Sequence, residues 1–221
     1  MTIELKKRII TSCFLFSLLM LMYLYSFVLI IALIIIAIIC WIEFYALISK
    51  IFPINNTKCK FIRFTLKAIS LIYLSVIVYY VLIIDALYVD YKIFILFTVL
   101  VSVASDIGGL VIGKTFKGKK LSVISPNKTI SGSIGSFIFS LLLIPFFRDV
   151  ILQDSFFLLI FVTIIISLTS QIGDLLISIL KRKAKVKDTS DLLPGHGGFL
   201  DRVDGIILAL PVGLLLFNVL I

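Results

Sequence analysis

Apolar residues dominate this chain from Ile9 onward, and the polar breaks between them set out the elements. The first run extends from Ile9 to about Ile48 with no charge until Glu43. Although KKR precedes it, the run is too long for the apolar core of a secretory signal peptide and contains no small-residue cleavage site. It fits two membrane spans joined by a tight turn near Tyr25. Along the whole chain the pattern predicts seven spans, at about 9–24, 26–48, 66–84, 93–113, 131–147, 155–180 and 205–221. The expected fold class is an all-α polytopic integral membrane protein of about seven transmembrane helices with cytoplasmic loops. Composition agrees. Of the 221 residues 61% are hydrophobic, where soluble domains are about half apolar.

Charge orients the spans. With the N-terminus inside, the cytoplasmic segments hold nineteen of the twenty-one Lys and Arg residues, and only Lys92 and Arg148 fall outside. Topology and attraction to anionic lipid account for the basic loop at 49–67 and need not account for every basic loop, and no nucleic-acid partner is expected for the net charge of +9. The three cysteines, Cys13, Cys40 and Cys59, have neither metal nor disulfide spacing.

Glycine divides the chain, since none of the twelve precedes Gly108. Special backbone geometry therefore begins in the second half. Residues 1–104 are expected to be an N-terminal transmembrane scaffold and residues 105–221 a catalytic region.

The acids of that region lie at membrane depth. Asp106 precedes Lys114 by eight residues, which places it roughly 12 Å from the cytoplasmic end of its span at about 1.5 Å per residue. Asp174 precedes Lys181 by seven residues, roughly 10 Å by the same rise. Asp201 and Asp204 open the last span from the same side and share a helical face. Acids at this depth are costly and rarely face lipid. One reading makes them structural ion pairs with Arg202 or Lys181. The other makes them a carboxylate cluster suited to a hard cation such as Mg²⁺. The loop KTFKGKKLSVISPNKTISGS, from Lys114 to Ser133, supplies lysines, hydroxyls and a turn at Pro126, a combination that suits phosphate. Carboxylates with a metal, set against basic phosphate ligands, suggest phosphoryl or nucleotidyl transfer at headgroup depth.

Two apparent motifs are set aside. GGLVIGKT, from Gly108 to Thr115, fits the P-loop pattern, but its apolar middle continues a transmembrane helix. The sequons at Asn55 and Asn127 fall in loops expected to be cytoplasmic.

The stretch SILKRKAKVKDTSDLLPGHGGFLDRVD, from Ser178 to Asp204, resembles the signature of the phosphatidate cytidylyltransferase, or CDP-diglyceride synthetase, family throughout. SDIGGLVIGKTFKGKKL and SPNKTISGSIGS are similar to two further family segments, so the clear resemblance covers about residues 105–213. In the N-terminal half only apolar character and WIEFY around Glu43 agree. Leu110 stands where the family usually has Tyr, Gly118 falls one place late, Ser131 replaces Glu or Gln, and the chain is shorter than typical members.

The resemblance implies transfer of CMP from CTP to phosphatidate, giving CDP-diacylglycerol and pyrophosphate. It implies Mg²⁺, with a monovalent cation such as K⁺ sharing the site, and it matches Asp174 and Asp201 to the metal ligands. Lys187, Asp188, His196, Arg202 and Asp204 join them as candidate catalytic residues. Asp106, Ser125, Lys128, Thr129, Lys181, Arg182, Gly197 and Gly198 are candidate substrate-binding residues. The expected partners are CTP, phosphatidate and the bilayer, with a second copy as a homodimer and no nucleic acid. The expected place is the cell inner membrane, with the active site facing the cytoplasm. Related CTP-dependent lipid kinases or cytidylyltransferases acting on another lipid, or a transporter of an anionic solute, are the alternatives.

Overall fold

The computed structural model describes residues 3–53, 56–88, 91–120, 128–151, 156–195 and 197–220. Among them it is helical, with two isolated β-bridges, Lys120 to Thr129 and Leu193 to Gly197, and no strand. The helices are α1 (Ile3–Leu24), α2 (Ser26–Ile51), α3 (Thr57–Leu87), α4 (Lys92–Phe116), α5 (Ile130–Leu141), α6 (Ile144–Ile151), α7 (Phe156–Lys183) and α8 (Leu200–Leu220).

Five of these, α2, α3, α4, α7 and α8, are long and apolar enough to cross a membrane, and α5 with α6 makes up to six as one bent span. The protein is a multi-pass membrane protein. The expected seven spans are corrected in two places. The apolar part of α1, Ile9–Leu24, is shorter than a full span. The expected span at 131–147 is the pair α5–α6, bent by 45°. The bend has a local cause. Pro145 has no N–H to give the Leu141 carbonyl, so the α-helical ladder stops and α6 restarts beyond a turn at Leu142 and Leu143. The break between the first two helices does fall at Tyr25, which is extended at φ −125° and ψ 109°.

The chain forms two compact units, Met1–Val89 with Leu180–Val203, and Asp90–Ile179 with Asp204–Ile221. Residues 180–203 of the signature group with the N-terminal helices.

In the first unit α2 packs on both α1 and α3. Leu29, Cys40, Leu47 and Ile48 of α2 are buried, as are Val81 and Ile84 of α3 and Ala184, Phe199 and Leu200 of the signature segment. Lys67 is buried too. Its ammonium lies 3.0 Å from the centroid of the Tyr45 ring and donates to Ser49 Oγ at 2.8 Å, so the ring and the hydroxyl replace the water it loses.

In the second unit α4 and α5 approach through small residues. A Cβ at Gly135 would come 2.7 Å from the Gly108 carbonyl oxygen, and one at Gly132 would come 2.8 Å from that of Gly109. Bare glycines let the two backbones touch, the usual way apolar helices associate without a hydrophobic driving force. Ser136 Oγ donates to the Ser105 carbonyl at 2.7 Å across this contact. An aromatic cluster closes the far end, with Phe94 stacked on Phe217 at 4.4 Å and Phe97 edge-on to Phe147 at 5.1 Å. Among the described residues Ser170 Oγ is buried without a hydrogen-bond partner, and other buried hydroxyls are satisfied. Thr98, Ser102 and Thr163 donate to carbonyls one turn back in their own helices, and Ser105 meets Ser167 at 3.0 Å.

Candidate active site

The signature loop begins where α7 ends. Val186 donates to the Lys181 carbonyl at 3.0 Å and Lys185 to that of Arg182 at 3.1 Å, while Lys185 takes a left-handed φ of 56°. This is the two-bond C-terminal cap usually built on glycine. Gly195 and Gly197 then adopt φ of 76° and 77°, and Leu193 N–H donates to the Gly197 carbonyl at 2.8 Å, which turns the loop back on itself. Thr11 Oγ1 of α1 donates to the Pro194 carbonyl at 3.0 Å.

The loop folds around Asp201 in the first turn of α8. Its Oδ1 accepts from Lys181 Nζ at 2.6 Å. Its Oδ2 is reached by Thr189 N–H at 2.8 Å, Thr189 Oγ1 at 3.0 Å and Gly198 N–H at 3.1 Å. The side chains of Lys181 and Asp201 are 15% and 4% exposed, so the pair is close to dry and its charges are weakly screened. Gly197 lies beside both acids of the loop. A Cβ there would come 3.0 Å from Asp188 Cβ and 3.2 Å from Asp201 Oδ2.

In the second unit Asp174 of α7 forms an ion pair with Lys128, and Ser178 Oγ donates to its Oδ1 at 3.4 Å. This pair is wetter, with side chains 31% and 23% exposed. Gly173 explains the position of Asp174. A Cβ at Gly173 would come 2.5 Å from the Asp204 carbonyl oxygen and 3.1 Å from Gly205 Cα, so the glycine lets α7 lie on the backbone of α8. Asp204 is buried, and its Oδ1 accepts from Gly205 N–H at 2.9 Å.

The remaining residues are placed as follows. Lys128 and Thr129 lead into α5, where Thr129 Oγ1 caps the helix by accepting from Gly132 N–H at 3.1 Å. Arg182, Lys187, Asp188, Arg202 and Asp106 are exposed. Gly198 is buried, and the space a side chain would need there is filled by Thr189 and by Glu43. Ser125, with Pro126 and Asn127 of the same loop, lies outside the described residues, as do His196 and Asn55. The stretch Gly108–Thr115 is continuous α4, so the P-loop pattern has no loop to act in.

Sequence reading missed the role of one acid. Glu43 on α2 is buried, and its two oxygens accept from Thr189 Oγ1, Ser190 Oγ, Phe199 N–H and Leu200 N–H at 2.6–2.9 Å. The available signal was a carboxylate alone in a charge-free run of some forty residues.

Carboxylate oxygens are the donors a hard cation prefers, and each unit presents its own. Asp174 is open enough to reach. Both oxygens of Asp201 are engaged, Oδ2 by three donors and Oδ1 by Lys181 at 2.6 Å, so a cation would have to displace Lys181 from Oδ1. Among the described residues no group of three or more His, Cys, Asp or Glu converges on one point, so bound phosphate oxygens or water would have to complete such a shell.

The chain is 46% identical over 123 residues to the phosphatidate cytidylyltransferase of Staphylococcus haemolyticus, covering 54% of this chain and 46% of the relative. It is 43% identical over 124 residues to that of Staphylococcus aureus, covering 54% and 46%. It is 38% identical over 120 residues to that of Bacillus subtilis, covering 53% and 45%. The chain thus spans about half the length of the curated relatives it matches. The profile of the Cytidylyltransferase family matches residues 4–220, and with nearly every residue inside that match the chain belongs to the Cytidylyltransferase family.

Proposed function

We propose that the chain transfers the CMP moiety of CTP to phosphatidate, releasing pyrophosphate and forming CDP-diacylglycerol at the cytoplasmic face of the cell membrane. The observation that carries this reading is the signature loop wrapped around Asp201 and Lys181. It joins a carboxylate that suits a cation to an ammonium that suits phosphate. The names of the relatives and the positive-inside pattern support the substrates and the face.

The roles follow from charge. The lipid phosphate is itself the nucleophile and is largely ionised near neutral pH, so little base catalysis is needed. What is needed is neutralisation of the triphosphate, and Lys128 and Lys181 can supply it by exchanging a carboxylate partner for a phosphate oxygen. Asp174 and Asp201, released from those lysines, would hold Mg²⁺. When bound, that ion offsets the charge that develops on the leaving pyrophosphate. A homodimer and a bound monovalent cation stay within this proposal as expectations.

The test is pyrophosphate release from CTP by the purified chain in lipid micelles, with Mg²⁺, with and without phosphatidate. Release that requires both phosphatidate and Mg²⁺, with CDP-diacylglycerol as the lipid product, is the expected result. Phosphorylation of a lipid alcohol by CTP would instead make the chain a lipid kinase.

A further inference from the structure

We propose that Glu43 is a positioning residue for the reaction, which holds the signature loop in shape and through Thr189 sets the carboxylate of Asp201. The proposal rests on the CMP-transfer reading above and names a residue outside the signature that this reading needs.

Glu43 sits on α2, within a run that carries no other charge from Ile9 to Ile48. It is 5% exposed. A buried carboxylate survives only where its lone pairs are filled. Here each oxygen has two donors. Oε1 accepts from Ser190 Oγ at 2.6 Å and from Phe199 N–H at 2.9 Å. Oε2 accepts from Thr189 Oγ1 at 2.7 Å and from Leu200 N–H at 2.8 Å. None of these described partners is a cation.

The identity of the donors gives the function. Phe199 and Leu200 are the last loop residue and the first residue of α8, so their amides are orphan donors at the positive end of that helix. Glu43 caps α8 from another helix, one residue ahead of Asp201. The Thr189 hydroxyl has a single hydrogen and lies between two carboxylates, 2.7 Å from Glu43 Oε2 and 3.0 Å from Asp201 Oδ2. It is therefore shared between the two acids, donating to one of them at a time, and the shorter contact is the one to Glu43. Gly198 completes the link. Its N–H donates to Asp201, and a Cβ on it would come 2.6 Å from Glu43 Oε2 and 2.9 Å from Ser190 N. The glycine thus makes room for the carboxylate of Glu43.

Glutamine at this position would turn one oxygen into an amide that faces two donors. The test uses the full chain in lipid micelles. In Glu43→Gln the amides of Phe199 and Leu200 should exchange with deuterium at least about tenfold faster, with the α4–α5 peptides unchanged. The Mg²⁺ concentration for half-maximal activity should rise about tenfold, as when a partner behind a metal ligand is lost, with the KM for phosphatidate unchanged. If Glu43→Gln fails to fold, Thr189→Val should give the same rise in Mg²⁺ requirement and Thr189→Ser should not. A fall in kcat at constant Mg²⁺ requirement would make Glu43 a folding residue only and overturn the proposal, as would unchanged exchange at Phe199 and Leu200. A wild-type chain inert toward CTP and phosphatidate refutes the activity instead, and the exchange result then decides the contact by itself.

Discussion

Asp174 and Asp201 each meet a lysine, but the two pairs differ in burial, and burial decides what each lysine does for stability. Lys181 and Asp201 are 15% and 4% exposed, against 23% and 31% for Lys128 and Asp174. Removing Lys181 strands a buried carboxylate, which costs about 3 kcal/mol or more. Removing Lys128 leaves a carboxylate that water can reach, with an effect of about 1 kcal/mol or less. Thermal unfolding in micelles should therefore rank Lys181→Ala well below Lys128→Ala. Kinetics should separate them differently, because Lys128→Ala is expected to raise the KM for CTP more than that for phosphatidate. Asp174→Asn and Asp201→Asn should each abolish pyrophosphate release, with the double variant little worse than either, since groups that act as a unit are not additive. An Asp174→Asn chain with normal turnover and Mg²⁺ dependence would make that acid a structural partner of Lys128. The sequence exposed these aspartates because charge inside an apolar run stands out. It did not expose their lysine partners in full. Lys181 was foreseen as an ion-pair partner, but Lys128 lies forty-six residues before Asp174, and no periodicity predicts a contact across that separation. Glu43 shows the same limit, since its donors come from the far end of the chain.

Helix positions were legible where apolar length alone sets them. The spans predicted at 26–48 and 93–113 sit inside α2 and α4, and the one predicted at 155–180 follows α7 from Phe156 onward. Their ends were less legible, because helices continue past the hydrocarbon. α3 starts at Thr57 rather than near residue 66 and carries Lys58, Lys60 and Arg63 on its first turns. The bend between α5 and α6 was written in Pro145, but hydropathy passes over a proline that is as apolar as its neighbours. Tight packing of α4 on α5 gives a prediction at this scale. Gly132→Val would force a branched side chain against the Gly109 carbonyl, which a Cβ would already approach to 2.8 Å. Overpacking of this kind costs about 1–3 kcal/mol, and it should lower the melting temperature while sparing the hydrogen-exchange protection of α2.

Across the whole molecule, nineteen of twenty-one basic residues fall on one predicted side, and the proposal that the signature loop faces the cytoplasm rests on that pattern. Cysteine at the exposed position Asp191, in a chain whose three native cysteines are replaced by alanine, should react with an impermeant thiol reagent only after cells are opened. Labelling in intact cells would invert the topology. The grouping of residues 180–203 with the first unit was not legible, because their partners there include Glu43 and Thr11, far away in sequence. The hydroxyls of the second unit carry a consequence for how the protein is made. Thr98, Ser102 and Thr163 bond to carbonyls of their own helices, so their polar demand is met before any neighbouring helix exists. Among the described residues, Ser105, Ser133 and Ser136 find partners across helices. In a newly made α4 or α7 the polar cost of the first three hydroxyls is therefore already met, whereas that of the second set is met as the helices join. In an insertion assay on single helices, Thr98→Val should change the inserted fraction of α4 little, whereas in the assembled protein Ser136→Ala should loosen α4 from α5.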